Sequence, residues 1–146
     1  MKRTIATALI IISLFLMGSC SNSKNIRHLS IKTESVSSLL MQKRVVLKDG
    51  TKKYTEKQIT EKNDIDDICK KLNALKLEKI EAQVVGEMDY VIVLSGKSSH
   101  KIIIEGDKLY FDLRAYKLVG SSSKNAIKEI YNMIAYEEKE SVLTPV

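Results

Sequence analysis

Two short turns constrain the fold more than any other feature of the sequence. Asp49-Gly50 and Gly106-Asp107 each lie between two strand-like runs. Two-residue turns of this composition join neighbouring antiparallel strands, because glycine readily adopts the positive φ that such turns require. The sequence therefore predicts β-hairpins at both positions and an antiparallel sheet.

The strand-like runs are rich in β-branched and aromatic residues. They cover residues 35–41, 44–48, 51–60, 79–85, 88–94, 100–105, 108–113 and 116–119. In the run 88–94, Tyr90, Ile92 and Leu94 alternate with Val91 and Val93, so the two sets are predicted to lie on opposite faces of the sheet. Lysines recur along residues 51–60, which is typical of a protected edge strand.

Two further segments have the periodicity of amphipathic helices. The first carries an apolar stripe of Ile65, Ile68, Cys69, Leu72 and Leu75, and the second a stripe of Ile127, Ile130, Tyr131 and Ile134. Asn63 and Ser123 are the predicted N-caps, and the first helix is predicted to end near Lys76. Because Cys69 lies on the apolar stripe, it is predicted to pack in the core rather than to react.

These elements predict one α+β domain over residues 34–137. The element order is β-β-α-β-β-β-β-α, and we expect an antiparallel sheet of about four to six strands with two amphipathic helices on one face. Residues 20–33 are polar and are predicted to form a tether, and residues 138–146 a frayed tail. The apolar content of 44% suits a hydrophobic core, and two cysteines exclude a disulfide-dense scaffold.

Residues 1–19 are organised as a secretory signal peptide. Lys2 and Arg3 precede the apolar residues 5–17, and small residues then lead to Cys20. The apolar run is shorter than the about 20 residues that span a membrane. A retained N-terminal anchor is the alternative interpretation.

Cys20 makes the signal more specific. The segment Leu16-Met17-Gly18-Ser19-Cys20 resembles the bacterial lipobox. The resemblance implies that a diacylglyceryl group is attached to the sulfur of Cys20 and that the chain is cut just before it; an ordinary secreted cysteine is the alternative. Two acyl chains hold a protein stably on a bilayer, so we expect the domain on the outer face of the cytoplasmic membrane. Export and a formal net charge of only +6 argue against a nucleic-acid partner.

Several segments also resemble a group of small lipoproteins. Residues 59–65, the strand around Tyr90, the hairpin at residues 102–107 and the helix at residues 130–132 are similar to small uncharacterised lipoproteins of low-GC Gram-positive bacteria. The resemblance covers most of residues 45–137. It implies an α+β fold and a lipid anchor, and it brings no catalytic residues to carry over.

Nucleophilic catalysis is not evident in the sequence. Ser98, Ser99 and His100 are neighbours in a predicted loop, and no G-x-S-x-G motif surrounds them. A triad requires a nucleophile, a base and an acid that converge in space, and adjacent residues do not by themselves provide that. These residues are predicted to form a polar turn, so no catalytic residue is assigned.

Metal binding and acid–base catalysis are not indicated either. His28 and His100 lack the spacing of zinc ligands, and the acidic residues 63–67 lack the glycine and the closing glutamate of a calcium loop. The carboxylate pair Glu105 and Asp107 flanks a turn, where acids favour solubility. The sequence therefore predicts no metal and no cofactor.

Tyrosine supplies nearly all the aromatic surface of the domain. The chain has six Tyr, two Phe and no Trp. Tyr54, Tyr110 and Tyr116 lie in lysine-bearing strands, and they would form a binding surface if they shared the sheet face opposite the helices. Half-buried side chains with hydrated hydroxyl groups are the alternative.

The sequence favours a non-enzymatic binding or regulatory module for an envelope protein or peptide. A lipid anchor on Cys20, one folded domain and the lack of a catalytic motif support this hypothesis. Two alternatives stay open: an immunity or sequestration lipoprotein directed against an antimicrobial peptide, and a small envelope hydrolase that depends on His100 or Glu105. The sequence does not define the oligomeric state.

Overall fold

The structure is a computed structural model, and it describes residues 25–81, 84–133 and 135–141. The predicted signal peptide and the predicted lipidation site, Cys20, lie outside these residues. Among the helices of the described residues, none is both long enough and apolar enough to cross a bilayer.

The described residues form strands, two α-helices and one short 3-10 helix. The strands are β1 (Ile26–Arg27), β2 (Val36–Val46), β3 (Lys52–Ile59), β4 (Leu77–Ile80), β5 (Tyr90–Gly96), β6 (His100–Glu105), β7 (Lys108–Phe111), β8 (Arg114–Leu118) and β9 (Lys139–Glu140). The α-helices are α1 (Lys62–Asn73) and α2 (Ser121–Met133), and the 3-10 helix, Thr33–Ser35, precedes β2.

One antiparallel sheet contains all nine described strands, in the order β1-β4-β8-β7-β6-β5-β2-β3-β9. Both predicted hairpins are confirmed, since β2 pairs with β3 around Asp49-Gly50 and β6 with β7 around Gly106-Asp107. The glycines have φ values of 83° and 58°, which side chains rarely tolerate.

Both helices pack on one face of this sheet, which confirms the predicted α+β class. A single buried cluster joins the apolar stripes of α1 and α2 to one set of alternating strand residues. Tyr90, Ile92 and Leu94 of β5 belong to this helix-covered face, whereas Val91 and Val93 belong to the opposite face, here called the open face.

The strand number exceeds the predicted range of four to six, and the strand order along the chain differs. One cause of the different order is that residues 35–41 and 44–48, predicted as two strands, form the single strand β2. The polar pair Gln42 and Lys43 interrupts the apolar pattern. The Gln42 amide is satisfied by hydrogen bonds to Glu56 and Ser141, and the Lys43 ammonium lies 5.3 Å from the Tyr131 ring centroid.

The other cause is a pair of two-residue strands at the sheet edges. β1 and β9 fall in segments predicted as a tether and a frayed tail. Leu29 and Ile31, also assigned to the tether, are buried in the core. The side chain of Asn73 bonds both the N–H and the carbonyl of Ile31, at 2.9 Å each, so the folded unit begins before residue 34.

The helix starts differ from the predicted caps. Helix α1 begins at Lys62, and its N-cap Glu61 makes no side-chain capping bond. The Tyr136 hydroxyl instead accepts the Glu61 N–H at 3.3 Å and donates to Asp64 at 3.0 Å. Ser123 lies inside α2, where its hydroxyl accepts the Lys76 N–H at 3.0 Å.

Candidate functional site

Residues 84–89 fold back against one end of the open face. Arg44 of β2 forms ion pairs with Glu87 and Asp89, and Lys52 of β3 forms a second ion pair with Glu87. Asp89 also accepts the Gly106 N–H at 2.7 Å, which ties this segment to the β6–β7 turn. Glu87 and Asp89 therefore hold this loop onto the sheet.

Electrostatics stabilise this attachment at neutral pH. Hydrogen bonds from Lys52 and Arg44 lower the pKa of Glu87, so its carboxylate stays ionised. The bond to Glu87 is also the main cause of the raised pKa of Arg44. Because Glu87 and Lys52 are exposed, water and salt screen their attraction, and this ion pair stabilises the loop position only weakly.

The three tyrosines of the predicted binding surface do not share one face. Tyr54 and Tyr110 lie on the open face, where Tyr110 pairs across the sheet with Ala115. Tyr116 pairs with Leu109 and is buried in the core beneath the helices. Adjacent strand residues point to opposite faces, so Tyr116 points away from its neighbour Ala115 and from the open face.

The hydroxyl groups of the two open-face tyrosines are hydrogen-bonded. Tyr54 donates to the Met88 carbonyl at 3.2 Å, beneath the 84–89 segment, and Tyr110 donates to the Glu105 carboxylate at 3.2 Å. Burial, followed by the bond to Glu105, raises the pKa of Tyr110. Both hydroxyl groups are therefore fixed, and the Tyr110 side chain is only 9% exposed.

An apolar groove lies on the open face beside Tyr110. Its volume is about 540 Å³, and its apolar lining comes from Val85, Ile103, Tyr110 and Leu113. Polar groups of Ser99, His100, Lys101 and Asp112 complete the lining. An apolar groove with a few polar groups is the usual form of a binding site.

The turn at the end of this groove has an unfavourable backbone. Asp112 and Leu113 join β7 to β8 with φ values of 46° and 64°. Such two-residue turns normally use Asn and Gly, and the left-handed conformation costs other residues about 1–2 kcal/mol. Leu113 is also fully exposed, so no burial offsets that cost. Residues 108–113 were predicted to be one strand, because no glycine marks this turn.

Ser98, His100 and Asp112 form a hydrogen-bonded chain at the same end of the sheet. The Ser98 hydroxyl lies 3.0 Å from Nε2 of His100, and Nδ1 of His100 lies 2.9 Å from Oδ2 of Asp112. The His100 ring also packs on Phe111, with 5.5 Å between centroids. The prediction of a simple polar turn missed this convergence.

The missing acid could have been found from the predicted hairpin. The Gly106-Asp107 turn pairs Ile102 with Phe111, and extending that register by one residue places Asp112 opposite Lys101, the neighbour of His100. The short loop before β6 then lets Ser98 reach the other imidazole nitrogen. Twelve residues separate the base from its acid, so inspection of neighbours in the sequence does not reveal the contact.

Other reactive side chains are occupied structurally. Cys69 is buried on α1, as predicted, and desolvation raises the pKa of its thiol to about 11, so it stays protonated and unreactive at neutral pH. Glu105 accepts hydrogen bonds from Tyr110 and from the Gly86 N–H. Within residues 25–81, 84–133 and 135–141, no three His, Cys, Asp or Glu side chains are grouped as metal ligands would be.

Comparisons with protein-family models, with curated proteins and with solved structures gave no match for this chain. The functional assignment therefore rests on the groove and on the side chains around it.

Proposed function

We propose that the chain is a membrane-anchored extracytoplasmic lipoprotein that binds an apolar segment of an envelope protein or peptide. The anchor is the lipid expected on Cys20, and the binding site is the groove on the open face. The observation that carries the proposal is the exposed Leu113 beside an apolar groove of about 540 Å³.

Leu113 supports a binding role because folding alone does not favour it there. Its side chain buries no surface, and its backbone occupies a conformation that Asn or Gly would adopt at lower cost. An apolar residue in such a position gains free energy only when something covers it. Ile103 and Tyr110 extend the same apolar surface into the groove.

The polar groups around the groove favour a peptide over a hydrocarbon chain. Ser99, Lys101 and Asp112 line the groove beside its apolar residues. A bound peptide has backbone N–H and C=O groups that need such partners when water is displaced, whereas an acyl chain has none. The preferred occupant is therefore a short segment with one or two large apolar side chains.

Photocrosslinking in cells tests this proposal. A benzophenone amino acid would replace Leu113 in the full chain, and a matched chain would carry it at Val46, an exposed apolar position outside the groove. The proposal predicts one protein or peptide adduct from position 113, absent from position 46 and lost when Ile103→Asp is added. An adduct only with a second copy of the chain, or equal adducts from both positions, would refute it.

Two controls complete the design. Circular dichroism and the thermal midpoint of the Ile103→Asp chain show whether it still folds, and Ile103→Thr provides a milder change if it does not. A Cys20→Ala chain separates the anchor from the groove. We expect this variant to lose membrane association and the cellular adduct, but to keep binding to the same segment supplied as a synthetic peptide.

A further inference from the structure

We infer that Ser98, His100 and Asp112 form a nucleophilic acyl-transfer site for small carboxylic esters. This inference goes beyond the proposed binding function. The site lies beside the groove but on the helix-covered side of the sheet, and it requires neither a partner protein nor the anchor. The sequence alone favoured a non-enzymatic module, so the two roles need separate tests.

The hydrogen bonds connect the three side chains in the order that nucleophilic catalysis requires: nucleophile, base and acid. His100 bonds the Ser98 hydroxyl through Nε2, at 3.0 Å, and the Asp112 carboxylate through Nδ1, at 2.9 Å. With its hydrogen on Nδ1, the ring donates to Asp112, and the Nε2 lone pair accepts from the serine. That tautomer follows from the acceptor-only carboxylate.

The paired strands β6 and β7 position His100 and Asp112. His100 is the first residue of β6, and its ring packs on Phe111 of the adjacent strand β7. Asp112 follows β7 directly and occupies the left-handed conformation, with φ of 46°. Backbone conformations of this kind concentrate at functional sites, where the surrounding structure holds them in place. Asp112 therefore acts as a positioning residue for His100.

The reaction needs only the ester and water. The Ser98 oxygen attacks the ester carbonyl, and its proton moves to Nε2 of His100. The carbon–oxygen bond of the ester then breaks, and the leaving alcohol takes that proton, which leaves the acyl group on Ser98. Water repeats the sequence, and its attack releases the carboxylic acid and restores the serine.

The positions of the three side chains define the substrate class. The His100 ring packs on Phe111, on the helix-covered side of the sheet, and Ser98 lies in an exposed loop, so a small ester can reach the serine without entering the groove. The His100 and Asp112 side chains are 31% and 44% exposed, so water can reach the acyl-serine. Esters are favoured over amides because an alkoxide leaves more readily than an amide anion.

The test uses the full chain with a fluorophosphonate probe and with p-nitrophenyl acetate and octanoate. The probe transfers its phosphonyl group to an activated serine and releases fluoride, and peptide mass mapping locates the modified residue. We expect modification at Ser98 and hydrolysis of the acetate at least as fast as that of the octanoate, because no apolar groove holds the longer acyl chain at this serine. Ser98→Ala should lower both signals to background, whereas Ser122→Ala, at an exposed serine on α2, should change neither.

Variants of the other two residues test their roles. His100→Ala should slow probe modification by about 100-fold, and added imidazole should restore part of the rate. Asp112→Asn should slow it by about tenfold with an unchanged thermal midpoint, because the amide can stabilise the wrong imidazole tautomer. Equal modification of the wild-type and Ser98→Ala chains, or His100→Ala with the wild-type rate, would overturn the inference.

The two proposals can fail independently. Ser98→Ala should leave the photocrosslink from position 113 unchanged, since the hydroxyl is not part of the groove lining. A crosslink without probe modification would leave a binding groove and refute the acyl-transfer site. Probe modification without a crosslink would support the acyl-transfer site and refute the binding groove.

Discussion

Replacing Leu113 by Asn should stabilise the fold and weaken binding. Leu113 has φ of 64° and is fully exposed. The left-handed conformation costs a leucine about 1–2 kcal/mol, and asparagine tolerates it with a much smaller penalty. Because the leucine side chain buries nothing, its removal loses no hydrophobic stabilisation. The free energy of unfolding should therefore rise by about 1 kcal/mol, or about 4 °C in the thermal midpoint.

Equilibrium unfolding in urea measures this gain, with an unchanged m-value as the check that the same surface unfolds. Val84→Asn is the matched control, because Val84 is 95% exposed and does not have a positive φ. That variant makes a similar exchange of an apolar side chain for asparagine without relieving the backbone. A Leu113→Asn chain no more stable than wild type, or an equal gain in Val84→Asn, would refute the reasoning about backbone cost.

Further predictions concern the core and the attached loop. A Cβ at Gly96 would lie 2.0 Å from the Ser35 carbonyl oxygen, so Gly96→Ala should lower the free energy of unfolding by about 3 kcal/mol; a loss below 1 kcal/mol in urea would contradict this. Burial raises the Cys69 thiol pKa to about 11 from an ordinary 9.0, so the folded chain holds this proton more tightly than the unfolded chain. Stability should therefore fall by up to about 3 kcal/mol as the pH rises from 9 to 11, and Cys69→Ala, although less stable overall, should lose less over that interval. Arg44→Met should increase hydrogen exchange of residues 84–89 at least tenfold while residues of α1 keep their protection; unchanged exchange in that segment would show that the ion pairs do not hold it.

Local sequence signals predicted much of the fold. The glycine-containing turns established both hairpins, and the alternation of Tyr90, Ile92 and Leu94 with two valines assigned the faces of β5 correctly. The periodic stripes of α1 and α2 identified the side that covers the sheet. These features depend on neighbours a few residues apart, which is why the sequence alone was sufficient.

Long-range contacts explain what the sequence did not predict. Lys57 belongs to a strand predicted as lysine-protected, yet it is only 8% exposed, donates to the Tyr131 carbonyl at 3.0 Å and lies 4.6 Å from that ring centroid. A buried lysine needs polar partners, and Tyr131 of the packed helix α2 supplies one of them. The turn at Asp112 and Leu113 had no glycine to mark it, and both the groove and the His100–Asp112 contact depend on that turn.

The most direct test of the groove as the binding site is a titration followed by methyl NMR. The ligand is a synthetic peptide that covers the segment crosslinked from position 113. We expect chemical-shift changes of the Ile103 and Leu113 methyl groups. The core methyl groups of Leu72 and Ile92 should not shift, because they are buried between the helices and the sheet. Shifts confined to the helix-covered side of the domain, or none at saturating peptide, would contradict this expectation.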